Sequence, residues 1–368
     1  MVARVSAKLL IAMVFVMILL GGIVHGTGSS LACPDWPLCY GEAMPVMKGG
    51  ILFEHSHRLL GAAIGFFMIV LSVGLHRIDQ RTIRGGMVYG VGLTSVLAQL
   101  LVFGIAVSTA SLGSLWLEAV LLVAFALSVG SLWTRGMRLS ALGLLGLELV
   151  VVQGLLGGLT VVMRLPPMIS TVHLTIAMSL LAGLCYLVIR LHPGAALGRS
   201  VASRKFLGFT VAAVFAQIVL GAFMRHTGST LACGAEALTC QGEWLGANGA
   251  AHTALAHRWF AVVVTGLVIA ATVPLLRAAK GRRPLVRTLA IVAHGLVVVQ
   301  VLLGFLALVY YVPVSLATVH QGMGALLLVD LIALFVVAGP WGARFELGGR
   351  YAAPTKLSAF GSRLSASS

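Results

Sequence analysis

Thr27-Gly28-Ser29-Ser30-Leu31-Ala32-Cys33 returns, with one conservative change, as Thr227-Gly228-Ser229-Thr230-Leu231-Ala232-Cys233, 200 residues later. His57-Arg58 repeats as His257-Arg258 at the same offset. Further along, Gln153-Gly154-Leu155-Leu156-Gly157 matches Gln300-Val301-Leu302-Leu303-Gly304, Pro166 matches Pro313, and Thr171-Val172-His173 matches Thr318-Val319-His320, now at an offset of 147. Long-range self-similarity of this kind marks a duplicated architecture. The change of offset means that the first half carries 53 extra residues between its second and third repeat elements. That is the length of two membrane-crossing helices with their connections, at ~20 residues per crossing.

The composition agrees with a membrane setting. Hydrophobic residues make up 59% of the chain, charged residues 10%, and the mean hydropathy is +1.04, which excludes an ordinary soluble domain. Ten apolar stretches are long enough to cross a bilayer, near 7–25, 57–75, 87–107, 113–133, 139–163, 170–190, 206–224, 253–276, 288–310 and 317–338. The predicted fold is therefore an all-α integral membrane protein of two pseudo-two-fold-related four-helix bundles. Residues 1–86 with 134–195 form the first bundle, 196–338 the second, 87–133 an inserted transmembrane hairpin, and 339–368 a cytoplasmic tail. An even number of inserted spans keeps every later element on its original side, so the pseudo-two-fold axis is expected along the membrane normal.

The formal charge of +15 is a topology signal rather than a nucleic-acid signal. With the N-terminus in the cytoplasm, only Lys48, Arg58, Arg164, Arg225 and Arg258 of the 25 Lys and Arg residues fall outside. This is the positive-inside pattern, with both termini cytoplasmic and a secondary attraction to anionic lipid. Two outer loops then carry Cys33 with Cys39 and Cys233 with Cys240. The outer compartment is oxidising, so each pair is expected to form a disulfide, the alternative being two free thiols per loop. The N-terminus imitates a lipoprotein signal ending at Ser-Leu-Ala-Cys33. Because Thr-Leu-Ala-Cys233 repeats that tetrapeptide deep in the chain, residues 7–25 are read as a retained helix.

Four histidines share the repeat: His57 and His173, then His257 and His320, near the outer ends of the second and fourth core helices of each half. Ionisable groups inside a membrane are rare and tend to be functional, and two imidazoles facing across a bundle suit axial ligation of a haem iron. A lone histidine is more simply a hydrogen-bond partner for a neighbouring helix; the paired repetition argues the other way. His76, His192 and His294 lack this pattern and are expected to be structural. His55 and His252 lie beside the candidates but out of register, and His25 and His226 flank the cysteine loops with no role assigned.

Arg58 and Arg258 follow the candidate ligands where positive charge is otherwise scarce. A haem propionate or a lipid phosphate would each satisfy such a guanidinium. Glu54 precedes His57 by three residues, whereas the second half has Ala254 there. One half thus carries an extra carboxylate, either catalytic or orienting His57. Glu118, Glu148 and Asp330 have no repeat partners and are expected to make interhelical contacts in preference to a proton path.

Together, the Glu54-His55-Ser56-His57-Arg58 run, the two cysteine pairs and the Gln-Leu-Gly to Val-His arrangement of both halves resemble the haem A synthase family, whose members oxidise a methyl group of haem O to a formyl group. The resemblance implies a catalytic substrate site at Glu54, His57 and His173, and a haem b held by His257 and His320 that relays electrons. It also implies a Cys33–Cys39 disulfide and a bacterial-type cytoplasmic membrane with the haem sites toward the outer face. A haem O synthase (prenyltransferase), oxidase assembly factors, membrane lipid and a second copy of the chain are the expected partners. The family is usually eight-helical, so the inserted hairpin is a departure. Competing readings are a di-haem cytochrome b-type quinol protein, a thiol-disulfide membrane oxidoreductase drawing on the loop cysteines, and, from the repeat alone, a transporter.

Overall fold

The computed structural model describes residues 2–80, 82–109, 115–191, 204–280 and 284–338. The tail expected at 339–368, and the structural assignment of His192, lie outside the described residues. Ten helices account for almost all of the described chain: α1 Val2–Gly26, α2 Gly50–Asp79, α3 Ile83–Thr109, α4 Leu115–Thr134, α5 Arg138–Val162, α6 Pro167–Arg190, α7 Arg204–His226, α8 Gly249–Ala278, α9 Pro284–Val309 and α10 Val314–Val337. All ten include a stretch long and apolar enough to span a membrane, and the chain is an all-α integral membrane protein.

The helices close into two rings. In the first, α1 packs on α2, α2 on α5, α5 on α6 and α6 back on α1; in the second, α7, α8, α9 and α10 repeat that circuit. The α3–α4 hairpin packs on the outside, against α5. Its insertion leaves the α2–α5 contact intact: the Asp79 carboxylate, at the last residue of α2, accepts from the Leu139 and Ser140 backbone N–H groups at 2.9 and 3.1 Å. Those are two of the donors that the first turn of α5 leaves free, so one helix caps another across the inserted segment. Higher up the same interface, a Cβ at Gly143 of α5 would stand 2.9 Å from the Ser72 Cα of α2. Lipid offers no hydrophobic drive for helix association, so close backbone approach of this kind is what holds membrane helices together.

The duplication extends to backbone conformation. Arg164 and Leu165 between α5 and α6 have φ of 57° and 63°, and Tyr311 and Val312 between α9 and α10 have 56° and 58°. Each pair precedes a proline at the N-cap of the next helix, Pro166 or Pro313. Non-glycine residues in this region cost roughly 1–2 kcal/mol each. The cost is offset by the return bonds of Leu165 N–H to Thr160 O at 2.7 Å and Val312 N–H to Ala307 O at 2.6 Å.

The halves meet along α1, α6, α7 and α10. Arg225 donates to Gln321 Oε1 and to Gly22 O, each at 2.9 Å, and Gln321 donates to Ile18 O at 2.8 Å. His25 and His226 cross edge to face with ring centroids 5.0 Å apart, and His226 Nδ1 lies 3.0 Å from Thr171 Oγ1. The two histidines with no assigned role thus belong to the seam between the bundles. His76 stacks on Tyr89 and meets Ser140 Oγ at 3.1 Å, His294 meets Thr272 and the Ala290 carbonyl, and Gln99 of α3 donates to Glu148 of α5 at 3.3 Å. Apart from the His294 contact to Ala290 within α9, these are interhelical contacts, as expected from their lack of repeat partners.

Candidate functional site

Each of the hairpins α1–α2, α5–α6, α7–α8 and α9–α10 delivers one histidine, six to eight residues past the start of its second helix. The helices of a pair, α2 with α6 and α8 with α10, lie diagonally across their ring, so the rings face the bundle interior. His57 and His173 have centroids 6.5 Å apart with planes inclined at 52°. Metal–imidazole bonds run about 2.0–2.1 Å, so a metal bridging two rings head-on holds their centroids roughly 6 Å apart. The first pair has that spacing. His257 and His320 lie within electrostatic reach of each other.

A glycine on the preceding helix makes room for each ring. A Cβ would stand 3.2 Å from His57 Cε1 at Gly21, 3.6 Å from His173 Cε1 at Gly157, 2.6 Å from His257 Cε1 at Gly221 and 3.1 Å from His320 Cε1 at Gly304. His57, His173 and His320 also keep a buried Nδ1 with no hydrogen-bond partner among the described residues. Four rings in glycine cradles, three with unpaired nitrogens, are side chains that could hold a group between them.

Glu54 and Arg58 are one helical turn apart on α2, and their side chains pair at 2.5 Å. Glu54 Oε2 accepts from the Cys33 backbone N–H at 2.8 Å. Arg58 donates to the carbonyls of Asp35, Leu38 and Cys33 at 2.7, 2.5 and 3.1 Å. Both terminal nitrogens of Arg58 are thus engaged by Glu54 and the loop carbonyls. Arg258 is engaged likewise by the Glu236, Thr230 and Gly234 carbonyls.

The loops themselves are built alike. Cys33–Cys39 and Cys233–Cys240 are disulfides, with Cα–Cα distances of 4.8 and 4.6 Å. In the first loop, Asp35 accepts from the Tyr40 and Gly41 backbone N–H groups, and in the second, Glu236 accepts from Gln241 and Gly242. Slight burial works to raise the Asp35 carboxyl, but the Gly41 and Tyr40 N–H groups outweigh it and hold it below its ordinary value. The Gly242 N–H and the Thr239 hydroxyl hold the Glu236 carboxyl down in the same way. Depressed folded values mean that the order these carboxylates give is present above the ordinary carboxylate range and lost as pH falls through the depressed values. At a single pH of about 6, a phosphine is therefore expected to reduce the first-loop disulfide faster in Asp35→Asn than in wild type, and that difference should shrink as pH falls through the depressed value. His55 is buried beside the first disulfide, with its ring Nε2 3.0 Å from Ala43 O. The two sulfurs and this ring converge within 4.8 Å, but sulfurs bonded to each other offer no thiolate to a metal.

The first loop carries one feature with no counterpart in the second. Trp36 reaches inward so that a Cβ at Gly158 would stand 2.8 Å from its ring, and it meets Phe103 of α3 edge to face at 5.9 Å. Gly158 follows the glycine that cradles His173, so the loop, the inserted hairpin and the first histidine pair form one unit. Sequence reasoning did not find Trp36, since its partners are distant in the chain.

A polytopic membrane protein of two duplicated four-helix bundles, each with a histidine pair near the end that carries its disulfide loop, is the class these features define. A model of the cytochrome oxidase assembly protein family (COX15-CtaA) matches residues 4–50 and 108–332, well over half of the chain. The chain belongs to that family. The match passes over 51–107, which holds Glu54 and His57; the internal repeat singles out His57, and Glu54 stands out by its contacts to Cys33 and Arg58.

Among relatives, the haem A synthase of Shewanella oneidensis is 26% identical over 213 residues, 50% of this chain and 63% of that protein. That of Halalkalibacterium halodurans is 26% identical over 295 residues, 78% of this chain and 79% of the relative. A shorter match, 39% over 72 residues, joins 20% of the chain to 19% of the haem A synthase of Orientia tsutsugamushi. The chain thus spans somewhat under two thirds of the first of these relatives.

Proposed function

We propose that the chain is a haem A synthase, oxidising a methyl group of haem O to a formyl group for terminal oxidases. His57 and His173 hold the substrate haem, and His257 with His320 hold a resident haem b that relays electrons. The observation that carries this reading is the pair at 6.5 Å in the half that alone has Glu54, Trp36 and the inserted hairpin. A bound haem supplies the redox chemistry. The protein's own residues orient it: the histidines fix the iron, the glycine cradles set the ring planes, and Glu54 with Arg58 clamps the loop that sets Trp36 against α5. On the basic-residue pattern, both termini face the cytoplasm and the histidine pairs lie toward the outer face of the cytoplasmic membrane. Haem O synthase and oxidase assembly factors are the corresponding partners, with a second copy of the chain as a further one.

Protein purified from a host supplied with haem O should yield haem A on extraction. Haem b alone, from wild type and Glu54→Gln alike, would instead leave a di-haem electron-transfer protein. The glycine cradles give a graded test. Alanine at Gly157 adds an ordinary contact, alanine at Gly21 or Gly304 forces a shift of a few tenths of an ångström, and alanine at Gly221 overlaps the His257 ring. Haem retention is expected to fall in that order, and Gly221→Ala to lose haem b specifically.

A further inference from the structure

Each of the four histidine-bearing hairpins opens on a helix with the same five-residue pattern, and one of the four departs from it. The stretches are Met17-Ile18-Leu19-Leu20-Gly21, Gln153-Gly154-Leu155-Leu156-Gly157, Gln217-Ile218-Val219-Leu220-Gly221 and Gln300-Val301-Leu302-Leu303-Gly304. The final glycine cradles a histidine in all four. One turn earlier, three helices present a glutamine to that histidine. Gln153 donates to the His173 carbonyl at 2.7 Å, and Gln217 to the His257 carbonyl at 2.9 Å with the ring Nδ1 at 3.1 Å. Gln300 lies 3.2 Å from His320 Nε2. In the first hairpin the position is Met17, whose methyl group lies over Gly61, one turn beyond His57, and no side-chain amide is paired with His57 among the described residues; its Nδ1 is unpartnered, as are those of His173 and His320.

We infer that Met17 sets the exchangeability of the first haem site. His57 is the one ligand of the four with no glutamine anchor, so this site releases its haem, whereas the second, with both ligands anchored, retains its own. The inference rests on the proposed assignment of the four histidines as haem ligands. The physical argument is that a ligating imidazole has one remaining ring N–H, and a fixed partner for it holds the ring and raises the ligand's affinity. Gln217 meets the His257 ring at Nδ1 and Gln300 the His320 ring at Nε2, Gln153 holds His173 through its backbone carbonyl, and each of the three keeps a buried Oε1 with no partner among the described residues. A thioether donates nothing and accepts weakly. The two sites also have opposite requirements: a substrate haem must enter and leave at every turnover, and a relay haem must stay. One position per bundle, Met17 against Gln217, separates the two demands without altering a ligand.

The test uses full-length purified protein loaded with haem, with transfer to excess apomyoglobin as the readout and extraction to distinguish haem O and haem A from haem b. Met17→Gln is expected to slow release of haem O and haem A by about 10- to 100-fold, to raise their recovery per protein, and to leave haem b as in wild type, which also verifies folding. Met17→Leu, matching volume without an amide, should release at the wild-type rate. Gln217→Met should speed loss of haem b by a similar factor of about 10–100 and leave haem O release unchanged. Wild-type release of haem O from Met17→Gln, or equal slowing in Met17→Leu, would overturn the inference. His57→Ala separates this from the site assignment: if that variant still retains haem O and haem A, the assignment itself fails, whatever Met17 does.

Discussion

Alanine in place of His173 is expected to lower haem A formation by at least about 100-fold, with haem b still bound at wild-type stoichiometry. His173 supplies one of two rings set 6.5 Å apart across the first bundle, and its removal leaves one ligand facing the Gly157 cradle. The second pair does not use that ring: His257 and His320 sit on α8 and α10, contacted by Gln217 and Gln300. The complementary variant, His257→Ala, is expected to lose haem b preferentially. Turnover with an artificial electron donor and haem content by extraction check both. Equal loss of both haems from both variants would reject the division of labour between the halves.

Glu54→Ala is expected to be the most destabilising single change in the loop region, by about 3–5 kcal/mol, because removing one partner of a buried ion pair leaves the other charge uncompensated. Glu54 is buried and Arg58 half-buried, with side chains 5% and 12% exposed. The Cys33 N–H loses its acceptor in the same substitution. Reversible unfolding in mixed detergent would measure the effect. Glu54→Gln keeps an oxygen for the Cys33 N–H and should recover a large part of the loss, whereas Arg58→Ala should resemble Glu54→Ala. Turnover per folded molecule in Glu54→Gln then isolates any use of the carboxylate in proton transfer from its use in holding the loop.

Much of this architecture is legible in the sequence because it is written twice. The offsets of 200 and 147 locate the inserted pair of helices and single out four histidines among eleven, and the ten apolar stretches correspond to the ten helices. What the sequence conceals has specific causes. The apolar pattern starts α2 near residue 57, yet the helix begins at Gly50, because its first turns lie beyond the apolar run that marks the span. That earlier start is what places Glu54 and Arg58 on one helical face. The duty of Arg58 is partly hidden because, beyond Glu54, its partners are backbone carbonyls, which leave no trace in side-chain identity. Trp36 is hidden because Phe103 and Gly158 are brought to it by the fold. The Gln217 anchor was within reach, since Gln-x-x-x-Gly stands in plain view at 153, 300 and 217, but the comparison that finds it runs between quarters of the chain rather than halves.

The cap that Asp79 places on α5 has a bearing on the order of assembly. During synthesis, the carboxylate at the end of α2 is laid down two membrane crossings before the helix terminus that it caps. The first bundle therefore stays open while α3 and α4 emerge, and α1 and α2 wait as an unpaired hairpin until α5 arrives. The second bundle meets no such delay, since α9 begins at Pro284, directly after α8 ends at Ala278. Domains generally complete in the order they leave the ribosome. Here the earlier bundle needs two more membrane crossings than the later one before its ring can close.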